Sequence, residues 1–148
     1  MLKMEEFTSL IETAPLVSID LIIRGEDGYL LGMRSNQPAK GNWFVPAGRI
    51  FKNETISHAI KRISTKEVGV EVNIKDLGFY GIFEHFYDNS FVSSKVSTHY
   101  VVLACGLLLE IDKKMLPLDE HDKYRYFNKE EISNNNDTQK IILRAGIE

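Results

Sequence analysis

The sequence predicts an α+β fold, with helices packed on a mixed β-sheet. Three observations carry this expectation. β-rich runs recur along the chain, and most are parted by turn residues rather than helices. One segment, Glu54 to Val68, has clear helical periodicity and a glycine stop. Strand–helix–strand intervals are few, which disfavours a doubly wound parallel sheet. A length of 148 residues, without repeat, low-complexity tract or linker, predicts one domain over 1–148.

The elements follow in order. Met4 to Thr13 reads as a short helix closed before Pro15. Leu16 to Arg24 is a strand, Gly25-Glu26-Asp27-Gly28 a turn, and Tyr29 to Arg34 the return strand of a hairpin. Ser35 to Asn42 is a polar loop with Pro38 and Gly41; Trp43 to Val45 is a short strand cut by Pro46; Ala47 to Asn53 is a loop. In the helix from Glu54 to Val68, Ile56, Ala59, Ile60 and Ile63 form one buried stripe. Asn53 or Thr55 caps its start, and Gly69 is the left-handed stop. Strands follow at Leu77 to Phe86, Thr98 to Leu109 and Lys123 to Phe127. Glu130 to Ile142 holds a polar turn and a closing helix.

Composition narrows the function. Apolar residues make up 43% and charged residues 26%, as in soluble globular proteins. A net charge of -3 and the lack of a basic stripe argue against a nucleic-acid polymer as partner. A single nucleotide stays within reach of a few arginines. The one cysteine, Cys105, has no intrachain partner and lies in the apolar run Val101 to Leu107, so it reads as a buried structural thiol in a reducing compartment. Leu16 to Ile23 is short, carries Asp20 and lacks a cleavage pattern, so no leader is expected. No run approaches the ~20 apolar residues of a membrane span. A cytoplasmic protein is expected.

The loop and helix from Gly48 to Val70 carry the chemistry. At ~100° per residue, Glu67 lies about 20° from Ile56 around the axis, inside the apolar stripe. A carboxylate there is costly unless a cation or donors meet it. Gly48 offers bare backbone for close approach, with Arg49 beside it and Arg62 on a neighbouring sector. Backbone oxygen plus carboxylate suits magnesium. On these residues alone, an ordinary loop with Glu67 exposed at the helix end stays open.

The pattern Gly48-x5-Glu54-x7-Arg62-x4-Glu67-x-Gly69-Val70 resembles the Nudix box, G-x5-E-x7-R-E-U-x-E-E-x-G-U. Ile63 and Lys66 stand where two of its glutamates belong. The resemblance implies an α/β/α sandwich around a mixed sheet, and hydrolysis of a nucleoside diphosphate linked to another group. Two carboxylates fewer and one cation more imply one magnesium rather than several.

Further segments resemble the GDP-mannose mannosyl hydrolase subgroup of that superfamily. They are Pro15 to Asp20, Gly41 to Arg49, His85 to Asp88, Thr98 to Leu103 and Asp119 to Arg125. That subgroup also lacks the two box carboxylates. The resemblance implies water attack at the anomeric carbon of GDP-mannose, or GDP-glucose, giving GDP and the inverted sugar. It implies Mg2+ held by Gly48, Glu67 and Glu120, the last replacing a glutamine. It implies His121 as the base, with a pKa suited to accepting a proton near neutrality. Arg34 and Arg49 would grip the diphosphate as planar forks, and Arg62 would assist or simply orient the box. Asp20 and His85 would lie near the substrate and Tyr100 near the diphosphate, while Asp20 and Tyr100 also have structural readings as a buried hydrogen bond and a packing group. His58 and His99 receive no role. The resemblance suggests a homodimer. Two other functions stay open: a pyrophosphohydrolase attacking phosphorus, and a nucleotide-binding module without turnover.

Overall fold

The computed structural model describes residues 2–35, 40–90, 92–112, 114, 116–117 and 121–146, with 121 and 122 described by backbone. Helix α1 (Met4–Thr13) leads into a hairpin of β1 (Leu16–Gly25) and β2 (Gly28–Arg34). Short strands β3 (Trp43–Phe44) and β4 (Ala47–Arg49) precede helix α2 (Ile56–Val68). Strands β5 (Gly78–Tyr87), β6 (Thr98–Leu108) and β7 (His121–Phe127) follow, then helices α3 (Lys129–Asn134) and α4 (Ile141–Arg144).

The sheet is mixed, in the order β3-β2-β1-β6-β5, with β4 paired to β1 and β7 to β2. β1 runs parallel to β6 from Leu16 opposite Tyr100 to Arg24 opposite Leu108, while its other pairings are antiparallel. β2 meets β1 only at the hairpin end, at Arg24–Tyr29 and Gly25–Gly28. The rest of that edge of β1 is taken by β4, with Ser18 opposite Arg49 and Asp20 opposite Ala47. This corrects the expectation of a loop at Ala47: a long strand left half unpaired recruits the next extended segment.

Alternation along β1 sends Ile19, Leu21 and Ile23 to one layer and Ile22 to the other. The first layer packs under α2, against Ala59, Ile60, Ile63 and Val68. The second packs under the C-terminal helices, against Ile132, Ile141 and Ile142, with Trp43 edge-on to Phe127 at 5.1 Å. Helices thus cover both faces of the sheet. Cys105 is buried in the first layer, and burial, followed by the Asp20 charge, pushes its thiol pKa up, as expected of a structural cysteine.

Three expectations about helices change. α2 starts at Ile56, not Glu54, because Thr55 is the cap, accepting from the His58 amide, while Asn53 holds φ 67° in the loop. Ile56 is 45% exposed, so the buried stripe begins at Ala59. The closing helix is two short ones, parted by the turn at Asn135, whose first member is opened by an Asn128–Glu131 capping box. Gly69 ends α2 in the left-handed conformation, at φ 74°.

Candidate functional site

A cavity of about 320 Å³ opens beside α2, β1 and β4. It gathers Asp20 from β1, Arg34 from β2, Gly48 and Arg49 from β4, Arg62 and Glu67 from α2, His85 from β5 and Tyr100 from β6. These residues come from six elements spread over most of the chain. Glu120 lies outside the described residues. His121 opens β7 with its backbone opposite Arg34, and its side chain lies outside the described ones.

Each wall has a local cause. The β4–α2 contact is close because Gly48 has no side chain: a Cβ there would stand 2.7 Å from Ile63 Cγ1. Glu67 is only 5% exposed, on the buried azimuth that its spacing predicts, with its Oε1 3.5 Å from the Ala47 amide. Tyr124 Oη donates to the Glu67 carbonyl at 3.2 Å and anchors that end of the helix. Arg34 follows a register irregularity between Met33 and Arg34, of the kind that re-aims a side chain, and its guanidinium lies 5.8 Å from the Phe44 ring centroid.

Arg62 is a fork on Glu54, with Nε and Nη2 donating at 2.7 and 2.9 Å, and Nη2 also donates to the Arg49 carbonyl at 2.7 Å. These bonds hold the Glu54 carboxyl far down, to about 2, Arg62 contributing most, with Phe51 and His58 also donating. Phe51 is stacked by two guanidiniums, Arg62 at 3.8 Å and Arg49 at 4.7 Å. Burial lowers the Arg49 pKa, yet an arginine stays charged. It is therefore a partly desolvated cation facing the cavity.

Across the sheet, Gln139 Nε2 donates to Asp20 Oδ2 at 3.0 Å and meets His85 Nε2 at 3.2 Å. Asp20 and His85 expose only 4% and 11% of their side chains. Tyr87 stands edge-on to Tyr100 at 6.4 Å, and burial, with Asp20 nearby, raises its phenol pKa. The sequence reading missed Gln139, Tyr87 and Phe44. The spacing of His85 and Tyr87 on one strand face was a usable signal for Tyr87; Gln139 has none, since only tertiary folding brings it here.

Charge sorts the chemistry. Among the described lining residues are Arg34, Arg49 and Lys66, with Arg62 already paired to Glu54, against two carboxylates, Asp20 and Glu67. The chain as a whole is net negative. A local cationic excess inside an anionic protein suits a small polyanion, which the low-dielectric walls then hold more strongly than water would.

A mixed sheet between helices thus carries an arginine-lined cavity against β4 and α2. The NUDIX domain family profile matches residues 14–145, and the chain belongs to that family of hydrolases, which act on small nucleotide-containing substrates and generally use a divalent metal. It is 44% identical over 124 residues to the low-salt glycan biosynthesis protein Agl8 of Haloferax volcanii, covering 83% of this chain and 77% of that protein. It is 35% identical over 63 residues to an ADP-ribose pyrophosphatase of Methanocaldococcus jannaschii, covering 43% of this chain and 37% of that protein. The fold is that of a MutT protein from Methanosarcina mazei Go1, with TM-score 0.68 at 19% identity, over 88% and 90% of the two chains. Among the described residues no helix is long and apolar enough to cross a membrane.

Proposed function

We propose that this chain hydrolyses a GDP-sugar, GDP-mannose or GDP-glucose, by water attack at the anomeric carbon. One observation carries the reading. A single cavity joins a cationic wall, suited to a diphosphate, to a buried polar cluster of Asp20, His85 and Gln139, suited to hydroxyls. The glycan-biosynthesis name of the Haloferax relative is consistent with a sugar nucleotide as substrate.

The residues fit one magnesium ion. Glu67 is a buried carboxylate in the cavity beside β4, and Gly48 brings bare backbone to the same wall. Ile63 fills the space under Gly48, and Lys66 adds a cation to the lining, so two positions that carry glutamates in the box bring no oxygen ligand here. Gly48, Glu67 and Glu120 would hold the ion, which would supply positive charge to the departing diphosphate.

The other steps belong to this chain's residues. Arg34 and Arg49 clamp phosphate oxygens and neutralise the charge that grows as the sugar C–O bond breaks. GDP leaves with the bonding pair and needs no strong acid, unlike the leaving group of an ordinary glycoside. His121, at the strand start opposite Arg34, takes the proton of the attacking water. Arg62, committed to Glu54 and the Arg49 carbonyl, holds the end of β4 that carries Arg49. Asp20 and His85 receive the sugar hydroxyls, and Tyr100 lies along the diphosphate.

Hydrolysis in oxygen-18 water tests the reading. Label in the free sugar is expected; label in a phosphate would overturn it in favour of a pyrophosphohydrolase, the activity named for the Methanocaldococcus relative. Binding of GDP-mannose with magnesium, without product over a long incubation, would leave a module without turnover.

The working unit in this proposal is a homodimer. The bulge between Phe79 and Gly81 brings Phe79, Ile82 and Phe86 onto one face of edge strand β5, opposite Cys105, Leu103 and His99. They are 64%, 63% and 67% exposed, with Glu84 among them on the same face, and exposed apolar side chains on a sheet edge favour association.

A further inference from the structure

We propose that Gln139 is a positioning residue that fixes His85 as a neutral imidazole protonated on Nδ1, and so sets the hydrogen-bonding face the cavity offers to a sugar. The inference deepens the proposed function and rests on it for the identity of the ligand.

The orientation of the amide is determined by its neighbours. The Val45 amide donates to Gln139 Oε1 at 3.1 Å, so the other end of the group is the NH2. That NH2 has two hydrogens and two neighbours, Asp20 Oδ2 at 3.0 Å and His85 Nε2 at 3.2 Å. Asp20 takes one. The other points at His85 Nε2, which can accept it only with a lone pair. The proton of a neutral His85 is then on Nδ1.

The competing arrangement is visible in the same three side chains. His85 Nε2 also lies 3.5 Å from Asp20 Oδ2, close enough for an ion pair. A proton on Nε2 would be donated to that carboxylate instead. Protonation of Nε2 would set its N–H against the N–H of Gln139, and that amide is pinned by Val45. Gln139 therefore opposes the pairing that Asp20 alone would promote. Among the described residues, Tyr87 on the same strand, its phenol raised by burial, Tyr100 opposite His85 on β6, and Arg34 line the same cavity. None of these three supplies a carboxylate.

Gln139 is itself held at its backbone: its amide donates to the Trp43 carbonyl at 2.8 Å, and the Trp43 amide donates to the Asp137 carbonyl at 2.7 Å. The segment after α3 thus rides on β3 and carries the amide into the cavity. A fixed neutral imidazole beside a carboxylate presents one donor and one acceptor to a diol. That is the pattern a vicinal pair of sugar hydroxyls satisfies, each hydroxyl being both donor and acceptor.

The test uses Gln139→Met, which keeps length, adds no charge and loses both hydrogen-bonding ends, and Gln139→Glu, which exchanges the donor for a carboxylate oxygen and its negative charge. Long-range proton–nitrogen NMR of His85 in the free protein is expected to show the Nδ1–H tautomer at about neutral pH in the wild type. Gln139→Met should move His85 from Nδ1–H to Nε2–H, and Gln139→Glu, with only acceptor oxygens beside Nε2, should do the same. A wild-type His85 already charged or protonated on Nε2, or one unchanged in both variants, overturns the proposal. In kinetics, KM for the GDP-sugar should rise about tenfold or more in Gln139→Met, the size of one lost charge-assisted bond, while inhibition by free GDP stays the same. Equal weakening of GDP would mean a general collapse of the cavity and would also overturn it. If the tautomer behaves as expected and no GDP-sugar is hydrolysed, the substrate assignment fails and the positioning role stands.

Discussion

Ile63 lies directly beneath Gly48, so close that a Cβ on the glycine would stand 2.7 Å from Ile63 Cγ1. The contact seats β4 on α2 and brings the Gly48 backbone against the helix that carries Glu67. Gly48→Ala should cost about 1–3 kcal/mol in urea unfolding, by overpacking. Adding Ile63→Ala should restore part of that, with a coupling of about 1 kcal/mol in a double-mutant cycle. Strict additivity would mean that the two groups do not meet.

Glu54 ties loop to helix through Arg62, and its carboxyl falls from an ordinary value of 4.5 to about 2. A depressed folded pKa gives stability that is present above the unfolded value and lost as pH falls through the folded one. Acid denaturation should therefore steepen between pH 4.5 and about 2, the interval set by those two values. Glu54→Gln should be less stable than wild type at neutral pH and lose less stability across that interval. Parallel curves for the two proteins would count against the assignment.

Much of this was legible in the sequence, for physical reasons that differ by residue. The helix from Ala59 onward and its stop at Gly69 are local, written in apolar spacing and one glycine. Glu67 was legible for the same reason, since its azimuth is set by the helix alone. β4 was not, because its strand character comes from an edge of β1 that β2 leaves unpaired. Ile56 was misjudged because periodicity gives a direction around the axis and not how far along it the packing extends. Gln139 carries no pattern; its place depends on the backbone bonds to Trp43.

Glu67→Gln should weaken magnesium dependence, raising the metal concentration for half-maximal activity by about tenfold or more, as loss of one charged ligand would. An unchanged metal titration would remove Glu67 from the site.

His121→Gln should lower kcat by about 10²–10⁴-fold with little change in KM, as for loss of a general base. Full turnover in that variant would send the search for the base elsewhere in the cavity.

Ile82→Lys should shift sedimentation toward the monomer without loss of folded signal, since it replaces an exposed apolar side chain between Phe79 and Phe86 by a charge. A wild-type protein that sediments as a monomer at every concentration would end the dimer reading.

The parallel pairing of β1 with β6 has a consequence in time. Leu16 cannot meet Tyr100, nor Asp20 come level with Ala104, until most of the chain has been made. Such long-range pairings close large loops before any contact rewards them, and chains built on them fold on the order of milliseconds to seconds rather than microseconds. Helix α2 can flicker into shape early, but the sheet that gives it a floor arrives late. The wall bearing Asp20 and the wall bearing Tyr100 are adjacent strands of that one pairing. A newborn chain therefore acquires its finished sheet and its capacity to hold a ligand in the same event.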